Sequence, residues 1–254
     1  MLSLINICWT TEAGLEVLRR ISFDVHPGEF VCIVGPSGSG KTSLLRMMAG
    51  IQEQTSGQLT VQGSQPRVFA QLSYVFQEPV LLPWLTVRQN VDIIFTAKGQ
   101  EVPRDRVDAS LELVRLADFA DYLPRQLSGG MQSRASIARA LANDPLLLLM
   151  DEPFSSLDEI SREHMNAELQ RIMALTPASV VFVTHDLAEA VFLADRVIVL
   201  TSRPGRVFDD IAIPFARPRI TELLESREFE LVLNQLRRSL RAAAHCDAQY
   251  VEQT

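Results

Sequence analysis

A glycine- and serine-rich segment between an apolar run and a helical pattern has residue types and spacing suited to holding phosphate. Glycines let successive backbone N–H groups point at one phosphate, and the N-terminus of the following helix adds a positive dipole end. Lys41 supplies a cation for the β- and γ-phosphates of a nucleoside triphosphate, and the Thr42 hydroxyl can ligate Mg²⁺. The phosphate-binding residues that this spacing predicts are Gly35, Pro36, Ser37, Gly38, Ser39, Gly40, Lys41 and Thr42.

Two carboxylates, Asp151 and Glu152, follow a second apolar run at residues 147–150. A doubly wound sheet places its ligands at strand ends of this kind. We expect Asp151 to hold Mg²⁺, directly or through water, and Glu152 to orient or deprotonate the water that attacks the γ-phosphate. Two surface acids that open a turn before Pro153 are the alternative interpretation, and the phosphate loop upstream argues against it.

A third segment, residues 127–132, places Ser128, Gly129 and Gly130 at the predicted start of a helix. Such a start is a second place where an anion can be held, although an ordinary capped helix has the same form. In this order and company, the segment resembles the signature motif of the ABC ATPases. The resemblance implies a head-to-tail dimer with two ATP molecules, in which the signature of one subunit caps the γ-phosphate bound to the phosphate loop of the other.

Three single residues agree with the resemblance, which covers about residues 1–215. Gln77 matches the Q-loop glutamine, a contact for Mg²⁺ and water. Asp158 lies in a segment that resembles the D-loop at the nucleotide, and His185 matches the switch histidine that contacts the γ-phosphate. The family therefore implies ATP hydrolysis with ATP and Mg²⁺ as ligands. The catalytic residues that it implies are Glu152, His185 and Gln77, and the metal-binding residues are Thr42, Gln77 and Asp151.

Two stretches, residues 77–87 and 201–206, resemble the importer group for nitrate, sulfonates, taurine and pyrimidine precursors of thiamine. The resemblance implies an ATP-binding subunit that drives uptake of a small solute and lies peripherally on the cytoplasmic face of the inner membrane. Its implied partners are a second copy of the ATPase subunit, two transmembrane permease subunits and an external solute-binding protein, with no nucleic acid. Leu81, Leu82 and Trp84 lie where family members receive a permease helix, and they either dock that helix or pack the helical subdomain.

Other classes of protein share parts of this pattern. A non-transport ABC ATPase that acts on nucleic acid or ribosomes usually has two cassettes or a long coiled coil between the Q-loop and the signature. This interval is short here and has no sustained heptads. ABC exporters often carry fused membrane helices, and no apolar run in this chain is long enough for one. The signature segment and His185 argue against a P-loop kinase or GTPase, so the non-transport ATPase is the alternative that we retain.

Two positions depart from the family pattern. An aromatic residue near the N-terminus usually stacks on adenine, but Thr11 falls where that aromatic is expected and Trp9 lies two residues earlier. Either Trp9 substitutes on a shifted strand or the stacking contact is lost. Ser133 stands where a glutamine is common after the signature, and we expect this change to be tolerated.

Apolar runs alternate with helical patterns along the chain, which predicts an α/β fold with a largely parallel sheet. The resemblance implies a RecA-like P-loop NTPase core with an antiparallel β subdomain and an inserted helical subdomain at about residues 79–140. We expect an ABC ATPase domain at 1–218 and a helical tail at 219–254. An amphipathic pattern at 220–241, with Ile220 and Leu231 among its apolar positions, is expected to pack on the domain.

The bulk properties of the chain exclude several classes of protein. A net charge of −7 gives no general electrostatic reason to bind nucleic acid. The three cysteines, Cys8, Cys32 and Cys246, are far apart and suggest neither a disulfide framework nor a zinc site. Because the N-terminus lacks the pattern of a signal peptide, we expect any membrane role to come through partner subunits.

Overall fold

Nine strands and seven α-helices form from the residues that the computed structural model describes, 1–66 and 69–246. The strands are β1 (Leu2–Thr10), β2 (Glu16–Val25), β3 (Phe30–Val34), β4 (Ser56–Val61), β5 (Leu72–Val75), β6 (Leu147–Asp151), β7 (Ser179–Val183), β8 (Arg196–Leu200) and β9 (Val207–Ala212). The helices are α1 (Lys41–Met48), α2 (Val87–Thr96), α3 (Arg104–Leu113), α4 (Gly129–Leu141), α5 (Glu159–Ala174), α6 (Leu187–Leu193) and α7 (Arg227–His245).

The central sheet has six strands in the order β5-β6-β7-β3-β8-β9. The first five are parallel to one another, and β9 pairs antiparallel with β8 at one edge. Strands β3, β6 and β7 are buried at every position, as expected for apolar strands covered on both faces. The predicted α/β class with a largely parallel sheet is therefore confirmed, whereas β9 was not predicted because its residues, three of them exposed, include two acids.

The register of this sheet aligns the carboxyl ends of its strands. Val183 at the end of β7 pairs with Ile33 of β3 on one side and with Asp151 of β6 on the other. Met150 of β6 pairs with Val75, the last residue of β5. The segments that leave these neighbouring strands therefore start at one edge of the sheet, where open α/β sheets bind their ligands.

A second, three-stranded sheet has the order β2-β1-β4 and is antiparallel throughout. Its inward side chains, such as Leu4 and Ile21, join Leu45 of α1 and Ile33 of β3 in one buried apolar cluster. This cluster fills the space between the second sheet, α1 and one face of the central sheet. The antiparallel β portion implied by the family resemblance is therefore present.

The other face of the central sheet is covered by a larger apolar cluster that includes side chains of α5, α6 and α7. The same cluster extends into α2, α3 and α4, which contact one another and which we call the helical group. Thr86 caps α2 in a reciprocal capping box with Gln89, and this fixes where the first helix of the group begins. Leu81 is partly buried and packs against this cluster.

The tail differs from its predicted form. A 3₁₀ helix covers Thr221–Glu225, and α7 starts only after Ser226, whose hydroxyl caps it by accepting from the Phe229 N–H. Ile220 and Leu231 are 67% and 60% exposed, so the expectation that they pack on the domain is wrong. Other apolar positions of the same pattern do pack on the domain: Leu236 is buried, and Leu223, Leu224 and Leu240 are partly buried against the larger apolar cluster. Residues 247–254 of the predicted tail lie outside the described residues.

Over residues 1–66 and 69–246, the structure contains no helix with the length and apolar character needed to cross a bilayer.

Candidate functional site

The predicted phosphate loop runs from the end of β3 to the first turn of α1. Gly40 precedes the helix with φ of 90°, a left-handed conformation that a side chain would strain, and a Cβ there would lie 2.6 Å from a methyl of Leu18. Beneath the loop, a Cβ on Gly205 would lie 2.2 Å from the Ser39 carbonyl oxygen. The loop is therefore held by close backbone packing against the segment that follows β8.

A cavity of about 450 Å³ opens over this loop. Its lining contains five of the eight predicted phosphate-binding residues: Ser37, Gly38, Gly40, Lys41 and Thr42. Gly35 lies at the end of β3, Pro36 contributes its carbonyl to Lys41, and Ser39 is fully buried below the loop. Glu152 and Arg203 also line the cavity, so the segments that follow β6 and β8 supply side chains beside those of the loop.

Lys41 is nearly buried and lies over the start of its own loop. Its Nζ donates to the carbonyl oxygens of Gly35, at 2.9 Å, and Pro36, at 3.0 Å. Burial lowers the pKa of the Lys41 ammonium, and the carboxylates of Glu152 and Asp151 oppose that shift. The geometry places the Lys41 ammonium near two carboxylates within a loop rich in N–H groups, with Arg203 as a second cation in the cavity lining.

Asp151 receives one hydroxyl on each carboxylate oxygen. Thr42 Oγ1 donates to Oδ1 and Tyr74 OH donates to Oδ2, both at 3.0 Å. Burial raises the pKa of Asp151, and these two hydrogen bonds counteract the shift. Burial, with the Asp151 charge, also raises the pKa of the Tyr74 hydroxyl, which therefore stays a donor. Sequence reasoning did not single out Tyr74, since a tyrosine in a strand gives no signal of its own.

The oxygens of Thr42 and Asp151 form a donor set that suits Mg²⁺. Hard cations of this kind take oxygen ligands, and Mg²⁺ in phosphate sites is held by one or two protein oxygens together with water and substrate phosphates. Among residues 1–66 and 69–246, no group of three or more His, Cys, Asp or Glu side chains comes together as a metal cage. The residues present thus fit an ion that arrives with a nucleotide.

Glu152 and His185 meet at the ends of β6 and β7. Glu152 Oε2 lies 2.8 Å from His185 Nδ1, and the histidine side chain is 59% exposed while that of the glutamate is 19% exposed. Glu152 has a positive φ of 45°, and its N–H donates to Val183 O at 2.9 Å. A non-glycine residue in this conformation is unusual, and such strain clusters at functional sites. The turn points the carboxylate into the cavity beside the phosphate loop.

Gln77 follows β5 and lies next to the segment after Glu152. Its Nε2 donates to Ser155 Oγ at 3.3 Å, and the residue is exposed. Because β5 is the neighbour of β6, the glutamine reaches the same edge of the sheet as Asp151 and Glu152. The structure thus brings together the phosphate loop, both carboxylates, Gln77 and His185.

The signature segment is placed apart from this cluster. Ser128 caps α4 by accepting from the Met131 N–H at 3.3 Å, and Ser128 and Gly129 are exposed. Neither they nor Gly130 line the cavity over the phosphate loop. Asp158 likewise caps its own helix, α5, by accepting from the Ser161 N–H at 2.9 Å.

Ser133 and Trp9, the two departures from the family pattern, have clear positions. Ser133 is buried and donates to the Pro153 carbonyl at 3.3 Å, which ties α4 to the turn after Glu152. Trp9 packs against the apolar cluster of the second sheet and does not line the cavity. This wall of the cavity is formed instead by Thr11, Leu15 and Val17. Within the part of the chain that the structure describes, it therefore has no aromatic side chain beside the loop.

Taken together, the parallel sheet, the phosphate loop after β3 and the carboxylates after β6 define a P-loop nucleotide-binding protein built for phosphoryl transfer to water. The model of the ABC transporter family matches residues 18–155, more than half of the chain, and the chain belongs to that family of ATP-hydrolysing subunits. The predicted family, fold class and ATPase activity are confirmed.

Two relatives show which ABC transporter proteins this chain is similar to. The chain is 45% identical over 204 residues to the aliphatic sulfonates import ATP-binding protein SsuB 2 of Burkholderia cenocepacia (strain HI2424), covering 80% of this chain and 75% of that protein. It is 42% identical over 229 residues to an uncharacterised ABC transporter ATP-binding protein of Methanocaldococcus jannaschii, covering 88% of this chain and 85% of that one.

Among solved structures, a dimeric ATP-binding cassette in a post-hydrolysis state with ADP and Pi is 31% identical and superposes with a TM-score of 0.72, covering 85% of this chain and all of that one.

Proposed function

We propose that this chain is the ATP-hydrolysing subunit of an importer for a small solute such as nitrate, a sulfonate, taurine or a pyrimidine precursor. The similarity to a protein named for import of aliphatic sulfonates supports this group of solutes. The subunit acts at the cytoplasmic face of the membrane, with two permease subunits and an external solute-binding protein as partners.

The reaction is ATP + H₂O to ADP + phosphate, and the geometry suggests a role for each side chain. The loop N–H groups and Lys41 bind the β- and γ-phosphates. Thr42, Asp151 and Gln77 would hold Mg²⁺, which neutralises charge on the phosphates when it is bound. Glu152 orients the attacking water and takes its proton, because its carboxylate faces the cavity at the end of β6. His185, 2.8 Å from that carboxylate, orients it and contacts the γ-phosphate.

The exposure of the signature segment is the observation that supports a head-to-tail dimer. Ser128 lies at a helix start that can hold an anion, yet it does not line the cavity of its own chain. A second copy, placed head to tail, would bring this helix start to the γ-phosphate on the first copy's Lys41. Two such copies enclose two ATP molecules, with Asp158 near each nucleotide, and the dimer opens after hydrolysis.

An apolar patch beside Gln77 is the proposed contact with the permease. Three large apolar side chains are exposed within this short segment: Phe76 at 40%, Val80 at 54% and Trp84 at 70%. Single exposed apolar residues are ordinary, but a group of them indicates an interaction site. Arg139 of α4 donates to the carbonyl oxygens of Pro79, at 3.0 Å, and Val80, at 2.8 Å. The patch is therefore fixed to the helix that begins with the signature, so movement of that helix reaches the permease.

The test is the ATPase activity of the subunit purified together with its native membrane partners. A solute-binding protein is added with nitrate, aliphatic sulfonates, taurine or aminopyrimidines in turn. We expect one solute to stimulate hydrolysis by severalfold and a Glu152→Gln complex to show no stimulated rate. Strong hydrolysis with no membrane partner recovered and no response to any solute would favour an ABC ATPase outside transport.

A further inference from the structure

A buried carboxyl group lies directly behind the segment that carries His185. Glu189, in the first turn of α6, is 5% exposed and lines a small cavity of about 80 Å³. The cavity also contains Asn166 and Arg162 of α5 and Asp186. Neither Glu189 nor Asn166 belongs to the phosphate site described above, and a buried carboxyl needs a hydrogen-bonding or charged partner to be tolerated.

Two acceptor oxygens in this cavity have no hydrogen-bond partner among the described residues: Glu189 Oε1 and Asn166 Oδ1. An ionised glutamate is an acceptor only, so it cannot satisfy an amide oxygen. A protonated Glu189 has one O–H to donate, and Asn166 is within hydrogen-bonding reach of its carboxyl. A proton on Glu189 pairs Glu189 Oε1 with Asn166 Oδ1 where the amide oxygen faces the carboxyl, whereas an ionised Glu189 pairs only with the Asn166 N–H groups.

The charged groups around Glu189 do not replace that proton. Arg162, which lines the same cavity, donates to Asp186 Oδ2 at 3.2 Å and to Leu157 O at 2.8 Å, and its buried Nε makes no hydrogen bond to Glu189 or to any other described residue. Other titratable groups face the carboxyl from α5, from the start of α6 and from β3, and they are Glu159, Glu163, Asp186 and Cys32.

These surroundings favour the neutral form of the carboxyl. Burial raises the pKa of Glu189 to about 7, the Asp186 charge adds to the rise, and Thr184, Arg162 and Asn166 oppose it. The carboxyl is therefore protonated in the folded chain over a pH range in which an exposed glutamate is ionised.

Contacts lead from Glu189 to the backbone on both sides of His185. The Thr184 hydroxyl donates to Glu189 Oε2 and accepts the Asp186 N–H at 3.0 Å. Asp186 Oδ1 in turn accepts the N–H groups of Ala188 and Glu189 and so caps α6. His185 lies between these two anchored residues, and its side chain is 59% exposed.

We propose that Glu189, in its protonated form, is a positioning residue that holds the Thr184–Asp186 turn and thereby keeps His185 against Glu152. Ionisation of Glu189 leaves two carboxylates, Glu189 and Asp186, at the start of α6 and loosens the Thr184–Asp186 turn. The inference rests on the catalytic role assigned to His185 under the proposed function. It concerns a different group, which does not line the cavity over the phosphate loop.

The kinetic test uses the full chain and three variants, with the rate of Mg-ATP hydrolysis followed between about pH 6 and 9. Glu189→Ala is expected to lower kcat about tenfold or more while KM for ATP changes less than about twofold, because the phosphate loop is untouched. Glu189→Gln keeps the shape and hydrogen bonds of the neutral acid. It is expected to restore most of the lost kcat and to lack the decline that the wild type shows above about pH 7. Glu163→Gln, the same change at an exposed position of the same cavity, is expected to keep the wild-type pH profile.

A second readout does not depend on activity. Because the pKa of Glu189 is raised from 4.5 in the unfolded chain to about 7 in the folded one, the folded chain binds one more proton between these values. The stability that the neutral carboxyl contributes is complete below the lower value and is lost as pH rises through the upper one. Wild type is therefore expected to lose stability relative to Glu189→Gln across this window in urea unfolding, and Glu163→Gln is expected to follow wild type.

Three results would overturn the inference. One is an unchanged kcat in Glu189→Ala, and another is a Glu189→Gln pH profile that matches wild type. The third is a parallel stability curve for Glu189→Gln and wild type. His185→Ala separates this failure from failure of the proposed function: if it hydrolyses ATP at the normal rate, the role of His185 is wrong whatever Glu189 does.

Discussion

The carboxyl edge of the central sheet and the surface of the helical group carry the two halves of the proposed ATP site, and they differ in how their functional residues are held. At the sheet edge, each key side chain has a partner in the same chain: Thr42 with Asp151, and Glu152 with His185. At the surface of the helical group, Ser128, which caps α4, and Trp84, in the segment before α2, are exposed. The sheet edge is thus organised within one chain, whereas the role proposed for the helical surface depends on other subunits.

This difference follows from how each region is built. Five parallel strands end in register, so the residues after them are brought together by backbone hydrogen bonds and buried apolar contacts. The helical group is joined to the sheet through the larger apolar cluster and through Arg139 and Ser133. Substitutions at the sheet edge should therefore alter the stability or activity of a single chain. Substitutions on the helical surface should alter only the association of that chain with other subunits.

The largest effect is expected at the general base. Glu152→Gln keeps the shape of the side chain but removes the group that accepts a proton from water, which should lower kcat about 10³-fold. ATP binding should persist, since Lys41 and the loop N–H groups are unchanged. Single-turnover hydrolysis and nucleotide titration on the same sample measure both. A variant that hydrolyses ATP at the normal rate would show that another group takes the proton.

Gly205→Ala tests whether the sheet edge is fixed by packing beneath the loop. The new Cβ would lie 2.2 Å from the Ser39 carbonyl oxygen, so the loop must shift, at a cost of about 3 kcal/mol in unfolding free energy. Gly130→Ala is the matched change on the helical group, where the nearest atom to a Cβ is 3.9 Å away. Urea unfolding should show a loss for the first variant and none for the second. Equal losses would remove the distinction between the two regions.

Trp84→Ala tests the outward-facing patch. Loss of an exposed aromatic that docks in a partner should weaken association with the permease by about 30-fold, equivalent to about 2 kcal/mol. The affinity of the isolated chain for ATP should stay the same, because Trp84 does not line the phosphate cavity. Leu175→Ala, at a residue that is 66% exposed on another surface, is the control. Copurification at the wild-type level in Trp84→Ala would place the permease contact elsewhere.

Tyr74→Phe is expected to have the smallest effect. It removes one of the two hydroxyls that orient Asp151 and should reduce the Mg²⁺-dependent gain in ADP affinity by about fivefold, or about 1 kcal/mol. Affinity measured by calorimetry without Mg²⁺ should not change. Tyr122→Phe, the same substitution at an exposed residue, is the control. An equal loss with and without Mg²⁺ would show that Tyr74 supports the loop rather than the metal ligand.

The same comparison explains what could be predicted from the sequence. The strands β3, β6 and β7 were predicted because each is a short apolar run that ends at a chemically distinctive segment. The pairing of Thr42 with Asp151 follows once β3 and β6 lie on either side of β7 in one parallel sheet. Tyr74 and Glu189 carried no comparable signal, since their importance depends on which strands and helices lie beside them.

The predictions from the sequence were wrong where the local pattern of apolar residues and the tertiary packing disagree. The apolar pattern from Ile220 suggested one long helix, but the Ser226 cap starts α7 later and leaves Ile220 and Leu231 exposed. Strand β9 was missed because it is an edge strand with charged residues, which pairs on one side only. The domain limits, the roles of the site residues and the solute remain predictions.

The central claim is that the helix start at Ser128 completes the ATP site of a second copy. Sedimentation of Glu152→Gln with Mg-ATP tests it most directly, beside the double variants that add Ser128→Asp or Ser128→Asn. Both substitutions keep an N-cap acceptor for α4, but only aspartate places a negative charge against the γ-phosphate. We predict dimers for Glu152→Gln alone and with Ser128→Asn, and ATP-bound monomers with Ser128→Asp. Dimers that form equally well with Ser128→Asp would contradict the account.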